Sequence, residues 1–270
     1  MPESEAESNQ FYRRSMQLLQ EAEVPFLLGG AYAFRAYTGI ARQTKDFDLF
    51  LRAADFDAAL DVFRASRYRT EKTFPHWLGK AFGPNDSIDL IHRAGNGLCA
   101  VDDLWFDRAP AAEIFGLQTR LTPPEEMIWM KAYIMERERY DGADVAHLLL
   151  RRGAEIDWKH LLWRFGSDWQ LLLCHLLLFQ FIYPAKKDRV PPPVLEELLG
   201  RLKNEEMVAS AEPLCRGTLL SRAQYLPDVR AWNFRDARLE PRARLTREEI
   251  ENWSEAAPAQ VKSWAVGREN

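Results

Sequence analysis

The chain has 270 residues, room for one large domain or two small ones, and 47% of them are hydrophobic, so a substantial core can form. A net charge of −4 and a pI of about 5.8 provide no global field that would draw the chain to nucleic acid, although a local basic patch stays open. Cys99, Cys174 and Cys215 are isolated, with no Cys-x-x-Cys pair, which argues against zinc and redox motifs and for a reduced, cytoplasmic setting.

The first residues, MPESEAESNQ, are acidic and polar and lack the basic and apolar regions of a signal peptide. Segments 1–9 and 251–270 read as flexible tails. Residues 11–22 carry Phe11, Met16, Leu18 and Leu19 among polar residues and predict an amphipathic helix. Residues 24–28 are short and apolar enough for a buried strand. Gly29 and Gly30 then allow a sharp turn or close approach of a ligand. A helix is predicted over 31–37, so both glycines stand at its N-terminus, where free amides and the dipole favour phosphate. In the following strand Phe47, Leu49 and Leu51 alternate with Asp46, Asp48 and Phe50. Asp46 and Asp48 therefore share one face, about 7 Å apart along the strand. Such a pair is either a solvated strand edge or a hard oxygen site for Mg²⁺ held together with phosphates.

A helix over 55–66 presents Phe56, Ala59, Leu60 and Phe63 as a core stripe. Strands are expected over 68–74 and 77–82 with Pro75 at the bend, then a polar turn at 83–86 and a strand over 87–92. Asp89 lies inside that last strand, where a lone carboxylate must face water, a partner or a metal. His92 reads as a supporting or surface residue. Residues 95–97 form a turn, 100–108 a short helix, and 112–121 two short strands broken at Gly116. Thr122, Pro123 and Glu125 read as N-cap, first helical residue and capping box of a helix that carries Lys131. Lys131 sits among apolar residues and must reach outward or toward an anion. Asp141 and Asp144 open a further helix and share a face. They act either on its dipole or in ordering a nearby Arg or Lys. From Asp157 onward the chain is Leu-rich and helical, punctuated by Pro184 and Pro191 to Pro193. The most apolar segment, 169–183, contains Gln170, His175 and Gln180 and is short for a membrane span, so it is expected as a core helix. Helical character is also expected over 194–206 and within 217–232, whereas 241–270 reads as charged and partly helical at most.

The order of strand, Gly-Gly, helix and a strand with Asp-x-Asp resembles the nucleotidyltransferase superfamily, which has the DNA polymerase beta-like fold. Gly29, Gly30 and Ala33 with Arg42, Thr44, Asp46 and Asp48 are most similar to its bacterial Gly-Gly-x-Ala / Arg-x-Thr-x-Asp-x-Asp subgroup, related to abortive-infection toxin nucleotidyltransferases. The resemblance spans residues 24–150. It implies an α+β fold, with a small mixed-sheet nucleotidyltransferase core over 10–121 flanked by helices and a helical C-terminal domain over 122–250. It implies that Asp46, Asp48 and Asp89 are catalytic and hold Mg²⁺ or Mn²⁺. Gly29, Gly30, Arg42, Thr44, Lys45 and Lys131 would then bind the nucleotide, Lys131 at the triphosphate or the departing pyrophosphate. The implied activity moves an NMP group from an NTP to a hydroxyl of a small molecule, a tRNA or a protein. Ala31 stands where many active members carry a serine, as it also tends to in this subgroup. The alternative is a non-catalytic interaction module with a protein partner, as in a toxin–antitoxin pair. No membrane association is expected.

Overall fold

The computed structural model describes residues 3–42, 44, 46–204 and 213–258. They divide into two compact units: Met1–Gly95 with Cys99–Pro123, and Asn96–Leu98 with Pro124–Asn270. The fold is α+β, a mixed five-stranded sheet with helices followed by a largely helical C-terminal region.

The first unit begins with helix α1 (Glu3–Glu21). Its helical turns take in residues 3–9, a segment expected as a tail. Tyr12, Met16 and Leu19 are fully buried, while residues 6–10 are exposed or half-buried and so leave no apolar stripe for the sequence to display. Strand β1 (Leu27–Leu28) is shorter than the apolar run 24–28, in keeping with Pro25, which has no N–H for a ladder. Helix α2 (Gly30–Thr38) starts from Gly29 and stops at Gly39, whose φ of 80° sends its N–H back to the Arg35 carbonyl. Strand β2 (Asp46–Phe50) and helix α3 (Phe56–Ala65) follow. Then come strands β3 (Arg69–Phe74), β4 (Leu78–Phe82) and β5 (Ser87–Ile91). Helix α4 (Asp103–Asp107) is capped by the Asp102 carboxylate on the Leu104 N–H, and the hairpin β6 (Ala111–Ile114) and β7 (Leu117–Arg120) turns through Phe115 and Gly116, both at positive φ.

The sheet order is β1-β2-β5-β4-β3, with β2 and β5 parallel and every other neighbouring pair antiparallel. Phe47, Leu49, Ala81, Ile88 and Leu90 point to one face and are fully buried. There Phe47 stacks on Tyr12 of α1 with ring centroids 4.5 Å apart and meets Tyr32 of α2 edge-on at 4.9 Å. The period of two then sends Asp46, Asp48, Asp89 and Lys80 to the opposite face.

The second unit holds helices α5 (Pro124–Ala132), α6 (Gly142–Arg152), α7 (Trp158–Phe165), α8 (Trp169–Ile182) and α9 (Pro192–Asn204). The short strand β8 (Leu214–Cys215), helix α10 (Leu226–Arg230), strand β9 (Arg235–Asp236) and helix α11 (Arg247–Glu255) complete it. The capping box expected at Thr122 and Glu125 does not form. The Thr122 hydroxyl has no hydrogen-bond partner, and Glu125 accepts the Asp157 N–H at 2.8 Å instead. A capping box does stand at the start of α11, between Thr246 and Glu249, inside the segment expected to be partly helical at most. Residues 205–206 of the expected helix 194–206, and 259–270 of the expected tail, lie outside the described residues.

Trp158–Ile182 is long and apolar enough to cross a membrane by composition. In this fold the stretch is interrupted at Gly166–Asp168, and α8 buries Trp169, Leu172, Leu173, His175, Leu176 and Phe179. His175 is held by the Ala132 carbonyl at 3.0 Å, and burial lowers its pKa. All three cysteines are free thiols.

Candidate functional site

Parallel pairing of β2 with β5 puts Asp48 directly opposite Asp89, and Asp46 opposite Ser87. Antiparallel pairing of β5 with β4 puts Asp89 opposite Lys80. Residues in register across neighbouring strands project to the same face. Two residues apart on β2 and one strand over on β5, the three carboxylates thus gather with a lysine among them. The Lys80 Nζ donates to Asp89 Oδ1 at 2.6 Å and to Asp46 Oδ1 at 3.2 Å, while the Ser87 hydroxyl donates to Asp46 Oδ1 at 2.8 Å.

Exposure differs sharply within this group. The Asp46 side chain is 52% exposed, that of Asp89 only 12%. Burial raises the Asp89 pKa from 3.8 to about 6, Asp48 and Asp46 push it the same way, and Lys80 pulls it back. For Lys80, burial lowers the pKa, but the bonds to Asp89 and Asp46 outweigh it and the net shift is upward. His92, one residue beyond β5, is buried against the Pro75 carbonyl at 3.3 Å, and burial lowers its pKa to about 4. It is a neutral supporting residue.

The glycines serve this geometry sterically. The Gly29 N–H donates to the Asp48 carbonyl at 3.0 Å, tying the start of α2 to the acidic strand. A Cβ on Gly29 would fall 2.2 Å from the Phe50 ring. Gly30 has φ of +51°, and a Cβ there would fall 1.6 Å from Asp48 Oδ2. Only the absence of a side chain lets that carboxylate lie against the first turn of α2, which carries no acidic residue of its own. The Thr44 hydroxyl donates to the Asp46 carbonyl at 2.9 Å and accepts its N–H at 3.2 Å, fixing the entry to β2. The Arg42 guanidinium lies 4.5 Å above the Phe34 ring. Lys45 lies outside the described residues.

Lys131 belongs to the second unit. Its Nζ bonds Asp141 Oδ2 at 2.7 Å and Asp144 Oδ2 at 2.8 Å, and all three side chains are largely buried. Against burial, which raises it, the bonds from Arg139 and Lys131 bring the Asp141 pKa down to about 2. Both roles open for these acids have support: they order Lys131 and Arg139, and they stand at the N-cap and in the first turn of α6, where the helix dipole favours negative charge.

A cavity of about 450 Å³ adjoins Asp46 and Ser87 and is walled by Arg69, Phe82 and the turn 83–86. The Arg69 guanidinium lies 3.5 Å above the Phe82 ring. Asp86 in that turn accepts the Ser8 hydroxyl at 2.5 Å and bonds Tyr12, whose pKa is raised by burial and by Asp86.

Lys80 and this wall were not evident from the sequence. A lysine at alternate positions with Leu78 and Phe82 looks like an ordinary strand residue until the register sets it opposite Asp89. Among the described residues no set of three His, Cys, Asp or Glu side chains closes on one point as a finished metal centre. The donor chemistry is nevertheless of the kind that a hard divalent cation takes. All its donors are carboxylate oxygens, and the space between Asp46 and Asp89 already accommodates a cation, the Lys80 ammonium.

No family model matches the chain. No curated protein matches it either. Among solved structures it is similar to the antibiotic-resistance factor ANT(2'')-Ia, at 17% identity and a TM-score of 0.43 over 62% of this chain and 95% of that one. It is likewise similar to an antigenic nucleotidyltransferase-like protein from Paracoccidioides brasiliensis, at 17% identity and a TM-score of 0.47 over 71% of this chain and 97% of that one. A third similar structure is JHP933 from Helicobacter pylori, at 14% identity and a TM-score of 0.35, covering 73% and 96% of the two chains.

Proposed function

We propose that the first unit is a metal-dependent nucleotidyltransferase site that moves an NMP group from an NTP to a hydroxyl acceptor and releases pyrophosphate. The observation that carries this reading is the gathering of Asp46, Asp48 and Asp89 on one sheet face, with Asp48 seated against the glycine turn that opens α2. An idle sheet face has no physical need for three carboxylates, since each repels the others and Asp89 resists ionisation there.

The divalent ion would be held by Asp46 and Asp48, with Asp89 as a further ligand, and supplies charge neutralisation of the phosphates when bound. The chain's own groups do the rest. The start of α2 at Gly29 and Gly30 offers backbone amides and a positive dipole end to phosphate oxygens. Arg42, ahead of β2, adds positive charge. Asp89 takes the acceptor proton as its oxygen attacks the α-phosphorus. The new O–P bond forms in line as the bond to pyrophosphate breaks. The cavity beside Asp46 is proposed as the acceptor side of the site.

A second reading is a protein-interaction module, as in a toxin–antitoxin pair. It is favoured by exposed apolar side chains on the helical unit, with Phe181 84% exposed and Leu177, Leu199 and Leu202 also uncovered. Thermal unfolding with each NTP, with and without Mg²⁺, separates the two. A ligand at about 100 times its dissociation constant adds roughly 2.7 kcal/mol to stability. A Mg²⁺-dependent shift present in the parent and lost in Asp46→Ala/Asp48→Ala is expected. Absence of a shift with every NTP would leave the interaction module as the better reading.

A further inference from the structure

We infer that Lys80 is a tethered counter-ion of the acidic site, occupying the cation position between Asp46 and Asp89 and competing with the divalent metal for those carboxylates. The inference rests on the reading of the three acids as metal ligands.

Lys80 sits in the middle of β4, between Gly79 and Ala81, so the sheet ladder fixes its Cα and only the side chain can move. Its side chain is 22% exposed and crosses the register pair to the buried Asp89. One ammonium engages Oδ1 of both Asp89 and Asp46. A buried carboxylate without a cation is costly, and the lysine offsets that cost. Glu71, opposite Lys80 on β3, is exposed and pairs with Arg69 at 3.4 Å, so the lysine's bonds are directed to the acidic group.

The same bonds obstruct a metal. A divalent ion on Asp46 and Asp89 must take oxygens that the ammonium already holds, and the two cations repel at that range. The flexible four-carbon stem of lysine permits a swap in which the ammonium withdraws toward solvent as the metal enters. The carboxylates are then compensated in both states. Metal affinity is correspondingly lower than three acids alone would give.

Mn²⁺ titration, with free ion read by electron paramagnetic resonance, tests this in the parent, Lys80→Gln, Lys80→Met and Lys80→Arg. The uncharged variants are expected to bind Mn²⁺ about tenfold tighter than the parent, since one nearby positive charge has been removed. Lys80→Arg, which keeps the charge, should stay near the parent. In EDTA the uncharged variants should unfold at lower temperature, and Mn²⁺ should restore them. Binding by the uncharged variants alone would also support the inference. Equal or weaker binding by them, with the parent binding normally, would overturn the role of Lys80 and leave the metal reading intact. Absence of saturable binding in all four proteins would overturn both. If neither uncharged variant folds, acetylation of Lys80 in the parent, read by peptide mass spectrometry, replaces them. Labelling should rise with Mn²⁺, and unchanged labelling would overturn the inference.

Discussion

At Asp89 burial outweighs the neighbouring lysine, and the consequence is a pH dependence of defined sign. The folded-state pKa of about 6 lies above the ordinary 3.8, so the native chain holds this proton more tightly than the unfolded chain does. Native stability from this group is therefore greatest at low pH and declines as pH rises from about 4 to about 6. Above that window the ionised carboxylate costs stability in full, about 3 kcal/mol. Asp89→Asn, in EDTA, should accordingly unfold at higher temperature than the parent at pH 8, with the difference fading toward pH 4. His92 acts in the opposite sense. Its pKa is lowered to about 4, so its contribution is lost as pH falls from 6.5. Comparing Asp89→Asn with the parent at each pH cancels that limb. An Asp89→Asn form less stable than the parent at pH 8 would mean that the Lys80 pair, and not desolvation, governs the residue. Under the proposed function the same variant is expected to lack nucleotidyl transfer, because an amide cannot take the acceptor proton.

Helices α5 and α7 are joined by a charged core of their own. The Glu126 carboxylate is wholly buried and accepts from His160 Nε2 at 2.7 Å and from Arg164 Nε at 3.0 Å. The Arg164 guanidinium also lies 5.0 Å from the ring centroids of both Trp129 and Trp163. Removing Arg164 leaves the wholly buried Glu126 with His160 as its remaining partner, so Arg164→Met should destabilise the protein by about 3 kcal/mol in urea unfolding. Arg164→Met combined with Glu126→Leu should recover part of that loss, because the buried carboxylate goes with its arginine, while His160 Nε2 is left without its acceptor. Glu126 also shows why part of the molecule was legible from sequence and part was not. Asp46 and Asp48 could be read because local period-two alternation sets their common face. The glycine turn could be read because the strand, turn and helix are contiguous. Lys80 joins Asp89 only through strand register, Glu126 joins Arg164 across 38 positions, and Asn96 holds the Leu219 carbonyl across 123. No local pattern encodes such contacts. Thr122 and Glu125 mimic a capping box, yet Glu125 is taken by the Asp157 N–H, so a tertiary bond overrode the local motif. Thr246 and Glu249 are the same motif in a position where it does form, and could have been found by the same rule.

On the scale of the whole molecule, charge sets what the acceptor search should test first. With a net charge of −4 the chain presents no general attraction to a polyanion, and association with nucleic acid would have to come from a local groove. Several arginines are already committed to carboxylates. Arg222 bonds Glu138 at 2.8 Å, Arg242 bonds Asp168 at 2.6 Å, and the fully buried Arg238 bonds Asp236 at 2.6 Å. Arginines used in this way hold the helical unit together and contribute little free charge to a ligand. Fluorescence anisotropy with a labelled single-stranded RNA and a labelled duplex should therefore show no saturable binding at physiological salt. Acceptor assays of the proposed activity, with the NTP identified by thermal shift, would then begin with small hydroxyl compounds. Saturable RNA binding with a steep salt dependence would reverse that order, because counterion release of that kind requires several basic groups acting together on the phosphate backbone.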